Sequence, residues 1–188
     1  LKQIALSAAL LATLGTTHAY QAEINAGYEN TDIENLGDLD TIFINGKYYL
    51  NGVQVKNAPL AEAAFLSKAS NIGLGYANAS GDGDEDIDAL GINGEFFIPN
   101  TQFYVSAALN QTDFGDEDNT GYAFEVGYLP LEGLLLAVGA ANENVDPVQV
   151  ANYGFTTNLL NAVTVGEDTA VSLRAKYVTL IGNHYANF

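Results

Sequence analysis

From Tyr20 onward the chain alternates apolar and polar residues with period two. In residues 20–29, Tyr20, Ala22, Ile24, Ala26 and Tyr28 fall on one face, and Gln21, Glu23, Asn25, Gly27 and Glu29 fall on the other. Strict alternation over ten residues predicts a strand with one apolar and one polar face. The pattern recurs in residues 41–50, 71–79, 86–98, 101–110, 121–128, 150–160 and 170–180. Residues 134–141 read as a further strand, apolar on both faces, so that periodicity is weak there. Nine strands of about ten residues fit the span of a β-strand tilted across a bilayer. The connections after odd strands are acidic: residues 30–40, 80–85, 111–120 and 142–149. Two connections after even strands are short turns, Pro99-Asn100 and residues 129–133, and a polar connection, residues 164–169, precedes the ninth strand. Long loops at one end and short turns at the other is the pattern of outer-membrane barrels.

A soluble β-sandwich also alternates. Here, however, aromatics stand near the ends of the apolar faces, and the opposite faces carry Gly, Asn, Gln, Glu, Lys and Arg where a sandwich needs a dry core. The expected fold is therefore all-β: an antiparallel transmembrane outer-membrane β-barrel over residues 20–188, with about nine strands visible as part of a larger barrel. Single-chain bacterial barrels have even strand numbers. The final NHYANF, residues 183–188, reads as the start of a truncated tenth strand at Phe188; the rival reading is that one of the nine strands is wrong and the chain is complete.

Residues 1–19 break the pattern. Lys2, an apolar core at residues 4–14 and the small residues around Thr17-His18-Ala19 read as a secretory signal peptide cut after Ala19. A membrane anchor needs about 20 apolar residues, more than this run supplies. The chain starts at Leu1 rather than Met, which reads as a lost first residue. Removing the leader leaves 169 residues, enough for one domain. The whole chain holds 6 basic and 23 acidic residues, a net charge of −17, which excludes nucleic-acid binding through phosphates. There is no cysteine, so an exported chain has no disulfide scaffold and no thiolate metal or redox site. A single histidine, His184, lies beyond the leader, which leaves a His-rich metal site or a Ser-His-Asp triad without support. No catalytic residue, metal site or cofactor is expected.

The segment 51–70, NGVQVKNAPLAEAAFLSKAS, does not alternate. It holds one of four prolines, and three of the six basic residues lie in or beside it (Lys47, Lys56 and Lys68). PLAEAAFL reads as a short helical turn. The segment follows the second strand, so strand parity puts it at the short-turn, periplasmic end, where its length is anomalous. Residues 59–66 are expected to pack Leu60, Ala63, Phe65 and Leu66 into that mouth or against the barrel rim, which makes Pro59, Leu60, Glu62, Phe65 and Lys68 the candidate constriction or plug. The alternative is a flexible periplasmic connector.

Glu23, Lys47, Glu95, Glu125, Arg174 and Lys176 fall on the polar faces and are the candidate pore-lining charges. Lining charges set a transverse field and bias ion selectivity; in a narrow barrel the same residues pair with each other and fill the interior. Both readings keep them inside, because a charge facing lipid near the midplane costs a few kcal/mol. The acidic excess favours cations. The run DGDEDID at residues 82–88 places Asp82, Asp84 and Asp86 like the start of an EF-hand loop. It then has Ile87 where Gly is needed and Asn93 where Glu is needed, so a solvated acidic loop is the better reading.

AYQAEINAGYE and above all YYLNGVQVKNAPLAEAAFLSKAS resemble the outer-membrane general porin family of Moraxella- and Acinetobacter-like gammaproteobacteria, and the similarity runs through the chain, more weakly after residue 100. The resemblance implies passive diffusion of small hydrophilic solutes and supplies no catalytic residues. The expected partners are outer-membrane lipid and small solutes or ions, with no nucleic acid; the alternative is a small packed barrel with a structural or adhesive surface role.

Overall fold

A computed structural model of the whole chain describes residues 2–12, 19–33, 37–55, 59–81, 86–115, 117–142, 162–164, 169–181 and 184–187. The elements in order are β1 (Lys2–Ala12), β2 (Ala19–Ile33), β3 (Gly37–Gln54), α1 (Leu60–Leu66), β4 (Asn71–Gly81), β5 (Ile87–Phe97), β6 (Phe103–Phe114), β7 (Glu117–Leu131), β8 (Leu134–Asn142), β9 (Ala162–Thr164), β10 (Thr169–Ile181) and β11 (His184–Asn187). They form one antiparallel meander in the order β1 to β8, then β10 and β11, with β9 paired to β10 off the main path. No helix among the described residues is long and apolar enough to cross a membrane.

The predicted faces hold in β2 to β7 and in β10 where their side chains are described. Ile24, Ile42, Ile44, Leu74, Ile92, Phe124 and Val138 are all exposed on one face. Thr41, Asn45, Asn71, Asn93, Glu125 and Ser172 are buried on the other. A water-soluble fold hides apolar side chains and exposes polar ones. This wall does the reverse, as a sheet must when one face meets lipid.

Helix α1 shows that the sheet curls. It packs on β3, where Ala63 is buried among Tyr20, Tyr49 and Val53. Its Glu62 also reaches Lys176 on β10, with Oε2 2.7 Å from Nζ. In the sheet order β10 lies six strands from β3. At about 4.8 Å per strand a flat sheet would separate them by roughly 29 Å. A seven-residue helix is only about 10 Å long, so the wall must bend round α1. The architecture is that of a transmembrane β-barrel wall, with β1 and β11 at its two edges.

Two expected acidic loops are corrected. Residues 31–33 and 37–40 continue the ladder, with Thr31 opposite Leu39 and Asp32 opposite Asp38. Residues 112–114 and 117–119 do the same, with Asp113 opposite Asp118. These strands, 15 and 18 residues long in β2 and β3, exceed the 9–11 or so that a bilayer needs. Past the bilayer both faces meet water, so the alternation that marks a strand fades while the backbone pairing continues.

The strand count also changes. β8 pairs directly with β10, from Thr169 opposite Asn142 to Tyr177 opposite Leu134. That leaves no place between them for a spanning strand at residues 150–160, which lie outside the described residues. Among the described residues from Ala19 on there are eight long strands, β2 to β8 and β10, and two short ones, β9 and β11, which both pair with β10.

Within the segment read from sequence as a leader, Lys2–Ala12 forms β1, paired along β2 from Lys2 opposite Asp32 to Ala12 opposite Ala22. In strand β8 both faces are apolar for a local reason. Leu135 and Ala137 point inward and join Tyr104 and Leu129 in a cluster, against which Phe65 of α1 and Phe97 pack.

Candidate functional site

Helix α1 forms because AEAAFL lacks β-branched residues and Pro59 sits immediately before it, a position where the missing N–H costs nothing. It ends at Ser67, whose N–H donates to Ala63 O, and Lys68 takes a positive φ of 49° as the chain leaves. Ser67 ties the helix back to the end of β3: its Oγ accepts from Gln54 N–H and donates to Gln54 O, both at 3.2 Å. Ser70 then clamps β4 to its neighbour, its Oγ accepting from Phe97 N–H at 3.0 Å. These ties set α1 against the inner face at the short-turn end.

Between α1 and the wall is a cavity of about 220 Å³. Glu23, Lys47, Glu95, Arg174 and Lys176 line it, with Leu60 and Phe65 from the helix. Five of the six charges expected to line a pore thus converge on one space, although they come from β2, β3, β5 and β10. The sixth, Glu125, lies beside it on β7 and holds Arg174. Arg174 Nε donates to Glu125 Oε2 at 3.0 Å, and Nη2 donates to Oε1 in a bidentate pair. Such planar pairing is the strong form of an arginine–carboxylate contact.

This pair spans β8, because Glu125 is opposite Gly139 and Gly139 is opposite Ser172. A Cβ on Gly139 would come within 2.7 Å of Ser172 Oγ, so the absent side chain is what leaves room between the two strands. Tyr104 completes the group, with the Arg174 guanidinium 5.8 Å from its ring centre.

The remaining charges are also held. Glu95 accepts from Asn71 Nδ2 at 3.0 Å and from the Tyr104 hydroxyl at 3.2 Å. Glu23 faces Lys47 directly across the β2–β3 ladder. Lys176 pairs with Glu62, and its Nζ lies 4.8 Å from the centre of the Phe65 ring. Of the five residues named for the plug, Leu60 and Phe65 line the cavity and Glu62 makes the ion pair. Pro59 and Lys68 bracket the helix and are exposed. Leu60 is exposed overall, so Ala63 and Phe65 supply more of the packing than it does.

Tyr49, Phe97 and Tyr104 line the same cavity and were not singled out from sequence. A signal was present. Tyr49 and Tyr104 lie at polar-face positions of their strands, and large rings on an inner face need something to pack against. Of the calcium-like run, residues 82–85 lie outside the described residues. Its Asp88 accepts hydrogen bonds from the Tyr76 hydroxyl and from Asn78. His184 stands at the start of β11, opposite Ile181.

An inside-out antiparallel wall with a charged, partly filled interior defines the class: a membrane β-barrel of the channel type. The family model described as "Putative general bacterial porin" matches residues 1–185. The chain belongs to this porin family, which places it in the outer membrane of Gram-negative bacteria and makes a channel, rather than an enzyme, the role to expect. No curated protein and no solved structure matches it.

Proposed function

We propose that the protein is an outer-membrane porin for passive diffusion of small hydrophilic solutes, with a mild preference for cations. The observation that carries this reading is the gathering of Glu23, Lys47, Glu95, Arg174 and Lys176 around one inner cavity, behind a wall whose other face is apolar. Around that cavity stand four acids, with Glu62 and Glu125 included, and three bases. The field they set is therefore weakly negative, and the acidic connections at the far end add to it. The short-turn end carrying α1 is periplasmic on this reading, and the acidic end faces outward.

Residues 1–19 act as a leader removed after Ala19. Cleavage takes away β1, frees the edge of β2 for pairing, and leaves the new N-terminus at the periplasmic end. Purified mature protein beginning at Tyr20 is the expected result of intact-mass measurement.

One observation favours a second reading. The Glu125–Arg174 and Glu62–Lys176 pairs satisfy charges internally, as a packed barrel with a structural or adhesive surface role would require. Planar-bilayer recording separates the two. The porin gives discrete conductance steps and, in a potassium chloride gradient, a reversal potential of the sign that marks cation preference. Folded protein without conductance steps would establish the packed barrel, and a reversal potential of anion sign would overturn the cation preference.

A further inference from the structure

Helix α1 is held on its two sides by different chemistry. On the β3 side the hold is apolar and covalent. Ala63 is buried against Tyr20, Tyr49 and Val53, Tyr20 and Tyr49 stack edge to face at 5.6 Å, and the Ser67–Gln54 hydrogen bonds close the joint. On the far side Phe65 packs against Phe97 and the cluster of Tyr104 and Leu135 on β6 and β8, and the tie to β10 comes from one residue. Lys176 Nζ meets Glu62 Oε2 at 2.7 Å and lies over the Phe65 ring at 4.8 Å. Glu62 and Phe65 are three residues apart, so they share a helix face and meet the same ammonium together.

Buried apolar contact is insensitive to charge. An ion pair bordering a water-filled space is a weaker and exchangeable tie. The tie of α1 to β10 is thus an exchangeable clasp, set beside apolar joints on β3 and around Phe65.

We propose that the Lys176 clasp on Glu62 and Phe65 sets the solute size limit of this channel; the proposal rests on the porin reading above. With the clasp closed, the space between α1 and the wall is about 220 Å³. At roughly 30 Å³ per molecule that is the room of about seven waters. A monosaccharide or an amino acid fits such a space, and a trisaccharide does not. With the clasp broken, α1 keeps its apolar joints on β3 and around Phe65 and moves off β10, which widens the passage. The permeant class is therefore neutral or zwitterionic solutes of single-sugar or single-amino-acid size.

Liposome swelling with uncharged sugars tests this, because a neutral probe reports space and not field. Wild-type protein is expected to admit glucose readily and raffinose hardly at all. Glu62→Gln raises the raffinose-to-glucose rate ratio about threefold, the scale of a lost partly exposed ion pair, and Lys176→Gln raises it about fivefold because it also removes the cation–π contact. The double reversal E62K/K176E rebuilds the ion pair with opposite polarity and brings the ratio back toward wild type. Heat-modifiable migration shows which variants are folded. Glu62→Gln alters the helix and not the wall, so it remains informative if Lys176→Gln does not fold. An unchanged ratio in folded Glu62→Gln overturns the proposal, as does wild-type protein that passes raffinose as fast as glucose. Folded wild-type protein that admits neither glucose nor ions overturns the porin reading, and the clasp as a size limit falls with it.

Discussion

Leu173 and Arg174 are neighbours on β10 and live in opposite surroundings. Leu173 is 68% exposed, while the Arg174 side chain is 8% exposed and paired with Glu125. In water both placements would be costly: an apolar side chain stays wetted, and a guanidinium gives up its hydration. In a bilayer the first becomes favourable, because hydrocarbon replaces water around Leu173. The second becomes obligatory, because a charge cannot face lipid cheaply. The comparison extends to the whole wall. Its outward face needs only to be apolar, whereas its inward face needs specific partners, since each buried charge must meet an opposite charge or matching hydrogen-bond partners. The outward face should therefore tolerate any apolar exchange, and the inward face should fail at single residues.

Three substitutions sharpen this contrast, and chemical unfolding from lipid vesicles is the measurement for each. The largest effect is expected at Arg174→Leu, which strands Glu125 on the inner face at a cost of about 3–5 kcal/mol. Adding Glu125→Gln should recover much of that loss, and a double variant no better than the single would show that the pair is not the cause. Next is Leu74→Arg on the outward face, expected to cost about 2–4 kcal/mol if Leu74 lies near the bilayer midplane, while Leu74→Phe stays close to neutral. The smallest is Gly133→Ala in the turn before β8. Gly133 has φ +78°, and a Cβ there would lie 2.1 Å from Val178 O, the same residue whose N–H donates to Gly133 O. Left-handed strain alone costs about 1–2 kcal/mol, and relief of the contact adds to it.

The outward face was legible because lipid imposes a simple rule. Every second residue from Tyr20 to Tyr28 is apolar, and the same count works in β4, β5 and β7. Reading failed where the rule lapses. In residues 31–40 and 112–119 both faces of the hairpin leave the bilayer, so paired strand looked like loop. In β8 the inner face is apolar because Leu135 and Ala137 pack under Tyr104 and Phe65, so the expected polar half of the pattern is missing. The strand expected at residues 150–160 lies outside the described residues, and the β8–β10 ladder shows only that these two strands are direct neighbours. Alternation states which way side chains point; it does not state which strand lies beside which.

The segment 51–70 divides in the same way. Its departure from period two and its helix-forming AEAAFL were readable, and so was the need for its apolar residues to find cover. That its far contact is Lys176, more than a hundred positions away, was not readable, because only the bending of the sheet brings β10 over the helix.

The sequence by itself determined the inside-out wall, the two unlike ends, the presence of a helix between β3 and β4, and which charges point inward. These follow from local periodicity and from the cost of placing a charge in lipid. The tertiary structure alone decided the neighbours of β8, the extension of the hairpins beyond the bilayer, and the pairing of Arg174 with Glu125 and of Lys176 with Glu62. Those depend on register and curvature, which bring together residues that no local pattern connects.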